Sequence, residues 1–302
     1  MLSPKNKYFN CIAHNSSEGN LLIGSEYSLL IDCGMTFCAG DTINKVRDAL
    51  EAGNNSSSST KKDRRKLDYI FLTHTHYDHL GALPLFKKEW PNLKVITSMA
   101  GAGILLKDTP RRVIRELSMT AALLYKSPID ASHDDEVFKA DIITGDGDKI
   151  SLGDLTIEVY ETPGHTRDSL SCLVPELELL VLCESFGVLM PDSSVFPCFL
   201  SSYAESINSI KKLSDISHTY LSLPHRGLVT ADEAEGFFEK SMEAAKTCHD
   251  FILGMKEEGL GEDEMLDSFY RQYSSETLRK YQPKEAFMLN AKAMISCVLR
   301  EY

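Results

Sequence analysis

The chain has 302 residues, 43% of them hydrophobic and 25% charged, with 44 acidic against 32 basic side chains and a formal charge of -12. That size and apolar content exclude a disordered chain and provide for a sizeable core, built as one domain with an appendage. The acidic balance repels phosphate backbones and sets nucleic acid aside as a partner, and no run of about twenty apolar residues offers a membrane span.

In chain order, Leu21-Leu22-Ile23-Gly24 and Tyr27-Ser28-Leu29-Leu30-Ile31 read as a hairpin across Ser25-Glu26, stopped by Asp32-Cys33-Gly34. The spacing of Ile43, Val46 and Leu50 predicts a helix over 41–52 that ends at Gly53. The polar stretch 54–60 reads as a flexible surface loop, and the basic run 61–66 as its solvated continuation. A strand over 69–73 comes next, then a helix over 78–89 that Trp90-Pro91-Asn92 terminates. A strand at 94–97 and a helix at 110–126 follow, the latter opening on Pro110. Strands are predicted at 149–152, 155–161, 169–174 and 178–183, then a helix at 203–214 and a strand at 219–223. This order, with adjacent strands and interspersed helices, points to two sheets flanked by helices rather than one doubly wound sheet. Beyond Thr230 the strand signal nearly vanishes. The expected division is a catalytic domain over 1–230 and a helical C-terminal extension over 231–302, with helices at about 231–258 and 285–299.

The eight cysteines are scattered and form no Cys-x-x-Cys pair, which predicts reduced thiols. The N-terminal residues lack the apolar stretch of a signal peptide, so the expected compartment is the cytoplasm.

The densest chemistry lies in Thr73-His74-Thr75-His76-Tyr77-Asp78-His79, which holds three of the nine histidines at the end of a predicted strand. Residues two apart on an extended segment share a side, so His74 and His76 converge on one ion. The turn beyond them lets Asp78 and His79 address a second. Imidazole with carboxylate suits zinc first, with iron or manganese as alternatives. Four residues do not complete two sites. Three later strand ends each supply one more ligand type: His165 in Thr162-Pro163-Gly164-His165-Thr166, Glu184 in Leu182-Cys183-Glu184-Ser185, and His225 in Leu223-Pro224-His225-Arg226-Gly227. His14, His133, His218 and His249 read as ordinary core or surface histidines.

Together with Ile31-Asp32-Cys33-Gly34, this combination resembles the metallo-β-lactamase superfamily over about residues 8–230. The resemblance implies an α/β fold, a four-layer αββα sandwich with a two-metal site between its sheets. It implies that His74, His76 and His165 hold one divalent ion and that Asp78, His79 and His225 hold the other. Glu184 stands where the family has an aspartate bridging both ions. One methylene longer, it bridges from a retracted backbone, serves one ion, or binds through one oxygen. Asp32 is implied to support the site from outside the ligand set. Tyr77 and the helical sequence after residue 230 look most like the branch containing the quinolone-signal response protein of pseudomonads, in which a helical segment covers the active-site mouth. A homodimer interface is the alternative use of those helices.

Two ions sharing one water lower its pKa toward neutrality and polarise a carbonyl or phosphoryl oxygen. Asp78 is the catalytic candidate that aims this water. The expected function is dinuclear metal-dependent hydrolysis of a small ester, thioester or related small-molecule substrate. A phosphodiesterase of the same superfamily and a regulatory or binding protein with incidental catalysis are the alternatives. Arg226 is a candidate partner for an anionic substrate group, and Phe186, Phe196 and Phe199 are candidate pocket walls.

Overall fold

The computed structural model describes residues 7–14, 17–54, 66–127, 135–229, 234–282 and 284–302. The first half of the chain forms a six-stranded sheet from β1 (Tyr8–Asn10), β2 (Asn20–Ile23), β3 (Ser28–Ile31), β4 (Tyr69–Phe71), β5 (Lys94–Ser98) and β6 (Ile142–Thr144), in that spatial order. The predicted hairpin is β2–β3, paired antiparallel with Leu21 opposite Leu30. From β3 to β6 every pairing is parallel, and the crossovers carry helices α1 (Ala39–Asn54), α2 (Tyr77–Leu80), α3 (Leu83–Glu89), α4 (Met99–Leu105) and α5 (Asp108–Leu124).

The second sheet comprises β7 (Lys149–Ser151), β8 (Thr156–Glu161), β9 (Leu170–Val174), β10 (Leu179–Val181), β13 (Tyr220–Leu223) and β14 (Gly227–Leu228), in the order β14-β13-β10-β9-β8-β7. Its β10–β13 pair is parallel, bridged by the two-stranded ribbon of β11 (Val188–Leu189) and β12 (Val195–Phe196) and by α6 (Tyr203–Ser214). Ser202 caps α6, its hydroxyl accepting the Glu205 N–H.

Alternation along the strands separates the layers. Leu29 and Ile31 of β3 face the inter-sheet core with Ile157, Val159 and Cys172 of the second sheet. Leu30 points the other way, against Val46 and Leu50 of α1 and Phe86 of α3. On the far side, Leu180 and Leu221 pack on Ile210 and Leu213 of α6. The result is the expected sequence of helices, sheet, sheet, helices.

The C-terminal residues form α7 (Phe237–Glu257), α8 (Glu262–Tyr273), α9 (Glu276–Tyr281) and α10 (Lys284–Glu301). Cys248 and Ile252 of α7, Phe269 of α8, and Phe287 and Met294 of α10 share a core with Met190, Phe196 and Phe199. Among the described residues this extension has helices and no strand, and it packs on the ribbon segment that follows β10. Of the predicted loop 54–60 and basic run 61–66, residues 55–65 lie outside the described residues, as does the predicted helix start at 231–233, while Asn54 ends α1.

The predicted helix over 78–89 is two helices. Ala82 N–H donates to the Gly34 carbonyl instead of continuing the helix ladder, so the chain breaks between α2 and α3.

Candidate metal centre

Four strands of the two sheets deliver functional side chains to one rim. The chain leaves β4 into His74, His76, Asp78 and His79, leaves β8 into His165, leaves β10 into Glu184 and leaves β13 into His225. The sheets are stitched together at this rim, where Leu170 N–H donates to the Thr73 carbonyl.

All seven predicted residues meet there. His165 Nε2 lies 3.0 Å from His76 Nδ1. Glu184 Oε1 lies 2.6 Å from His79 Nε2 and 3.2 Å from His225 Nε2, and its Oε2 lies 3.6 Å from His74 Nδ1. Asp78 Oδ2 is 3.9 Å from His79 Nε2. The side chains form three overlapping groups suited to a cation: His74, His76 and His165; His74, His79 and Glu184; and Asp78, His79 and His225. Within each, the ligand atoms lie within 4.8 Å of one another. Glu184 is thus in reach of both sides of the cluster.

Neighbouring groups fix which ring nitrogens face inward. The Asp32 carboxylate accepts the Thr73 N–H at 2.8 Å, the Thr73 hydroxyl at 2.6 Å and His79 Nδ1 at 2.8 Å. Thr73 Oγ1, its proton committed to Asp32, lies 3.1 Å from His74 Nδ1 and accepts from it. His165 Nδ1 donates to the Cys198 carbonyl at 2.7 Å. These bonds place the protons on Nδ1 of His74, His79 and His165 and leave Nε2 of each for a cation. His74 Nε2 and Glu184 Oε2 are buried without a hydrogen-bond partner, and His79 Nε2 faces the Glu184 carboxylate.

Electrostatics sort the imidazoles into two kinds. Burial, reinforced by His79, holds His74 well below the ordinary histidine value. Burial and His76 take His165 down to about 4, so both rings are neutral near pH 7. Burial also disfavours charge on His79, but Glu184 and Asp32 outweigh it and raise that ring well above the usual value. At His225 burial likewise works against charge, and the bond to Glu184 with the Glu18 carboxylate reverses it, to about 9. Burial opposes ionisation of Glu184, yet His79 and His74 hold its carboxyl well below the usual range.

Five residues of the cluster, His76, Asp78, His165, Glu184 and His225, line a cavity of about 610 Å³. Tyr77 and Leu117 to Tyr125 of the α5 end, the segment around Met190 and Phe196, and Leu278 to Asn290 of α9 and α10 contribute its walls. Arg226 lies on its lining. Of the three aromatic wall candidates only Phe196 does so. Phe186 and Phe199 are fully buried away from the lining, to which Leu189, Met190, Cys198 and Leu200 contribute instead. Among the other histidines, His14 packs edge-on against Phe37 and Tyr125, His218 bonds the Ile216 carbonyl and His249 stacks on Tyr203. His133 lies outside the described residues.

Glu18 was not legible in the sequence. Buried in the loop before β2, it accepts the backbone N–H of His225, and its Oε1 lies 3.8 Å from His225 Nδ1. Asn20 donates to the same carboxylate at 3.1 Å, Tyr8 donates to Asn20 at 2.6 Å, and Tyr8 and Ser222 hydroxyls are 3.0 Å apart. His225 has a left-handed backbone, φ 61°, a conformation that side chains other than glycine adopt at a cost. Glu18 holds that turn. Glu18→Ala is expected to weaken ion binding on the His225 side about 10- to 100-fold, as loss of an outer partner typically does, with Glu18→Gln less affected. Chelator-competition titration of the two variants checks this.

Residues 20–225 match the family description Metallo-beta-lactamase superfamily. The chain is 27% identical over 209 residues to Glyoxylase B2 of Dictyostelium discoideum, covering 68% of this chain and 64% of that protein. It is 30% identical over 112 residues to a hydroxyacylglutathione hydrolase of Rhodopseudomonas palustris, covering 36% of this chain and 30% of that protein. The chain thus spans less than two thirds of either relative. A metallo-beta-lactamase family protein from Thermus thermophilus superposes with a TM-score of 0.55 at 16% identity, covering all of this chain (100%) and 95% of that one. An archaeal superfamily protein from Sulfolobus tokodaii gives 0.54 at 22% identity, covering 76% and 80%. Sandwich, rim of strand ends and matched span agree, and the chain belongs to the metallo-beta-lactamase superfamily.

Proposed function

We propose that the chain is a metal-dependent hydrolase of a small ester or thioester that works with two divalent ions, zinc before iron or manganese. The observation that carries this reading is the convergence of His74, His76 and His165 with Asp78, His79 and His225 across Glu184, where His76, Asp78, His165, Glu184 and His225 open onto a cavity. The donors fit such ions. The buried Nε2 of His74 has no hydrogen-bond partner, and that of His79 faces the Glu184 carboxylate at 2.6 Å. Two nitrogens on one zinc at about 2.0 Å stand roughly 3.3 Å apart, close to the 3.0 Å between His165 Nε2 and His76 Nδ1. His74, His76 and His165 would hold one ion, Asp78, His79 and His225 the other, with Glu184 shared.

When bound, such ions acidify water and polarise an acyl oxygen. The chain's own groups do the rest. Asp78, whose side chain is 23% exposed toward the cavity, offers Oδ2 as the acceptor for the proton released as water attacks. Thr73, Asp32 and the Cys198 carbonyl fix the imidazole tautomers. The α9 and α10 wall narrows access to small substrates, and this placement supports the likeness to the quinolone-signal response branch. All eight cysteines are free and buried, which supports a reducing compartment such as the cytoplasm. No helix among the described residues is long and apolar enough to cross a membrane.

Metal analysis with a substrate panel tests the reading. The purified protein is expected to carry about two ions per chain. Chelation should abolish ester or thioester hydrolysis, and zinc should restore it. Full turnover after complete ion removal, or none on any panel member in the loaded protein, would overturn it.

A further inference from the structure

We infer that the substrate carries an apolar chain beside its scissile bond and at most one anionic group, which distinguishes it from a glutathione thioester. This rests on the hydrolase reading and adds the class of compound that the site accepts.

The cavity lining is mostly apolar away from the His, Asp and Glu residues, with Thr120, Gln282, Glu285 and Asn290 as polar positions on its helical walls. His76, Asp78, His165, Glu184 and His225 contribute the metal-ligating part of the lining, and three separate elements all add apolar side chains: Leu117 and Leu124 from α5, Met190 and Phe196 from the ribbon segment, and Leu278 and Leu289 from α9 and α10. Two of these leucines remain substantially exposed at the rim, Leu124 at 50% and Leu289 at 59%, although each belongs to a helix with buried positions available. Apolar surface gathered around an opening marks a binding surface rather than a solvated face. Among the described residues, Arg226 is the one lysine or arginine on the lining, which also includes Glu285. A glutathionyl group brings two carboxylates, an ammonium and two amides. Those groups would be desolvated against leucine, methionine and phenylalanine with few partners, which is unfavourable. A hydrocarbon chain loses nothing by that burial. Arg226 matches one anionic group and no more.

The reaction balances as hydrolysis. The water oxygen bonds to the acyl carbon, the C–O or C–S bond to the leaving group breaks, and the water protons pass to the leaving atom and to solvent.

The experiment compares metal-loaded protein on p-nitrophenyl acetate, butyrate, hexanoate and octanoate with S-lactoylglutathione. Octanoate and acetate binding to the protein as purified is measured by calorimetry alongside. Specificity, kcat/KM, is expected to rise about three- to fourfold per added methylene while the chain lengthens into the cavity. S-lactoylglutathione should be at least tenfold slower than the octanoyl ester, and octanoate should bind more tightly than acetate. Leu289→Asp and Leu124→Asp, both at exposed positions that tolerate a carboxylate, should each collapse the octanoyl-to-acetyl ratio and weaken octanoate binding. A flat chain-length series with S-lactoylglutathione preferred would overturn the inference and leave the hydrolase reading intact. Chain-length-dependent binding without hydrolysis of any ester would support the apolar pocket and sink the hydrolase reading. Absence of both would sink both.

Discussion

Glu184→Ala is expected to lower bound metal from about two ions to one or none and to cut kcat/KM by about a thousandfold, well beyond the ten- to hundredfold typical of an outer partner. Glu184 is the carboxylate within reach of His74, His79 and His225 at once. It is almost fully buried, at 3% exposure, so water does not replace it readily. Without it, the positive charge of two ions would rest on imidazoles and Asp78, in a setting where an uncompensated charge is expensive. Glu184→Asp keeps the charge and shortens the arm by one methylene. It should preserve ion binding if the residue is shared between both positions. Elemental analysis of both variants decides the matter. Full occupancy in Glu184→Ala would remove this residue from the ligand set, and loss of both ions in Glu184→Asp would argue against a shared role.

Gly164→Ala is expected to destabilise the fold by about 3 kcal/mol or more and to displace His165. The glycine has φ 142°, a region that side chains avoid and that costs about 1–3 kcal/mol when forced. A β-carbon there would also lie 2.6 Å from the Ser206 α-carbon, so α6 would have to move, adding about 1–3 kcal/mol of overpacking. The approach is close for a reason. The Gly164 carbonyl accepts the N–H groups of Ser201 and Ser202 at 3.0 and 3.1 Å, pinning the start of α6 against the turn that presents His165. Gly254→Ala supplies the contrast. Gly254 lies inside α7 with no heavy atom near its would-be β-carbon, so alanine should stabilise by about 0.5–1 kcal/mol. Urea midpoints of the two variants should shift in opposite directions; equal midpoints would refute the packing argument.

Much of the site was readable because its densest part is local. His74 through His79 follow one strand, and the period of an extended chain already groups them. His165, Glu184 and His225 were readable as ligand types at strand ends, since an apolar run that stops on a histidine or glutamate marks its own rim. Glu18 carried no such mark. It lies in a loop without periodicity and meets His225 across 207 positions of sequence. The short strands were missed for a similar reason: β1 and β6 have three residues each, too few to display alternation. The helix expected over 78–89 failed because a tertiary bond, from Ala82 to Gly34, outcompeted the local ladder. The layer order was legible because the strands alternate in adjacent runs and the helices lie between them.

The outermost strands of both sheets are very short: three residues in β1, β6 and β7, and two in β14. A flank that brief offers few unsatisfied amides for another chain to zip onto. Intermolecular strand addition, the usual route from a β-rich fold to aggregates, therefore has little template here, and contacts between copies of this chain would be made through helical surfaces.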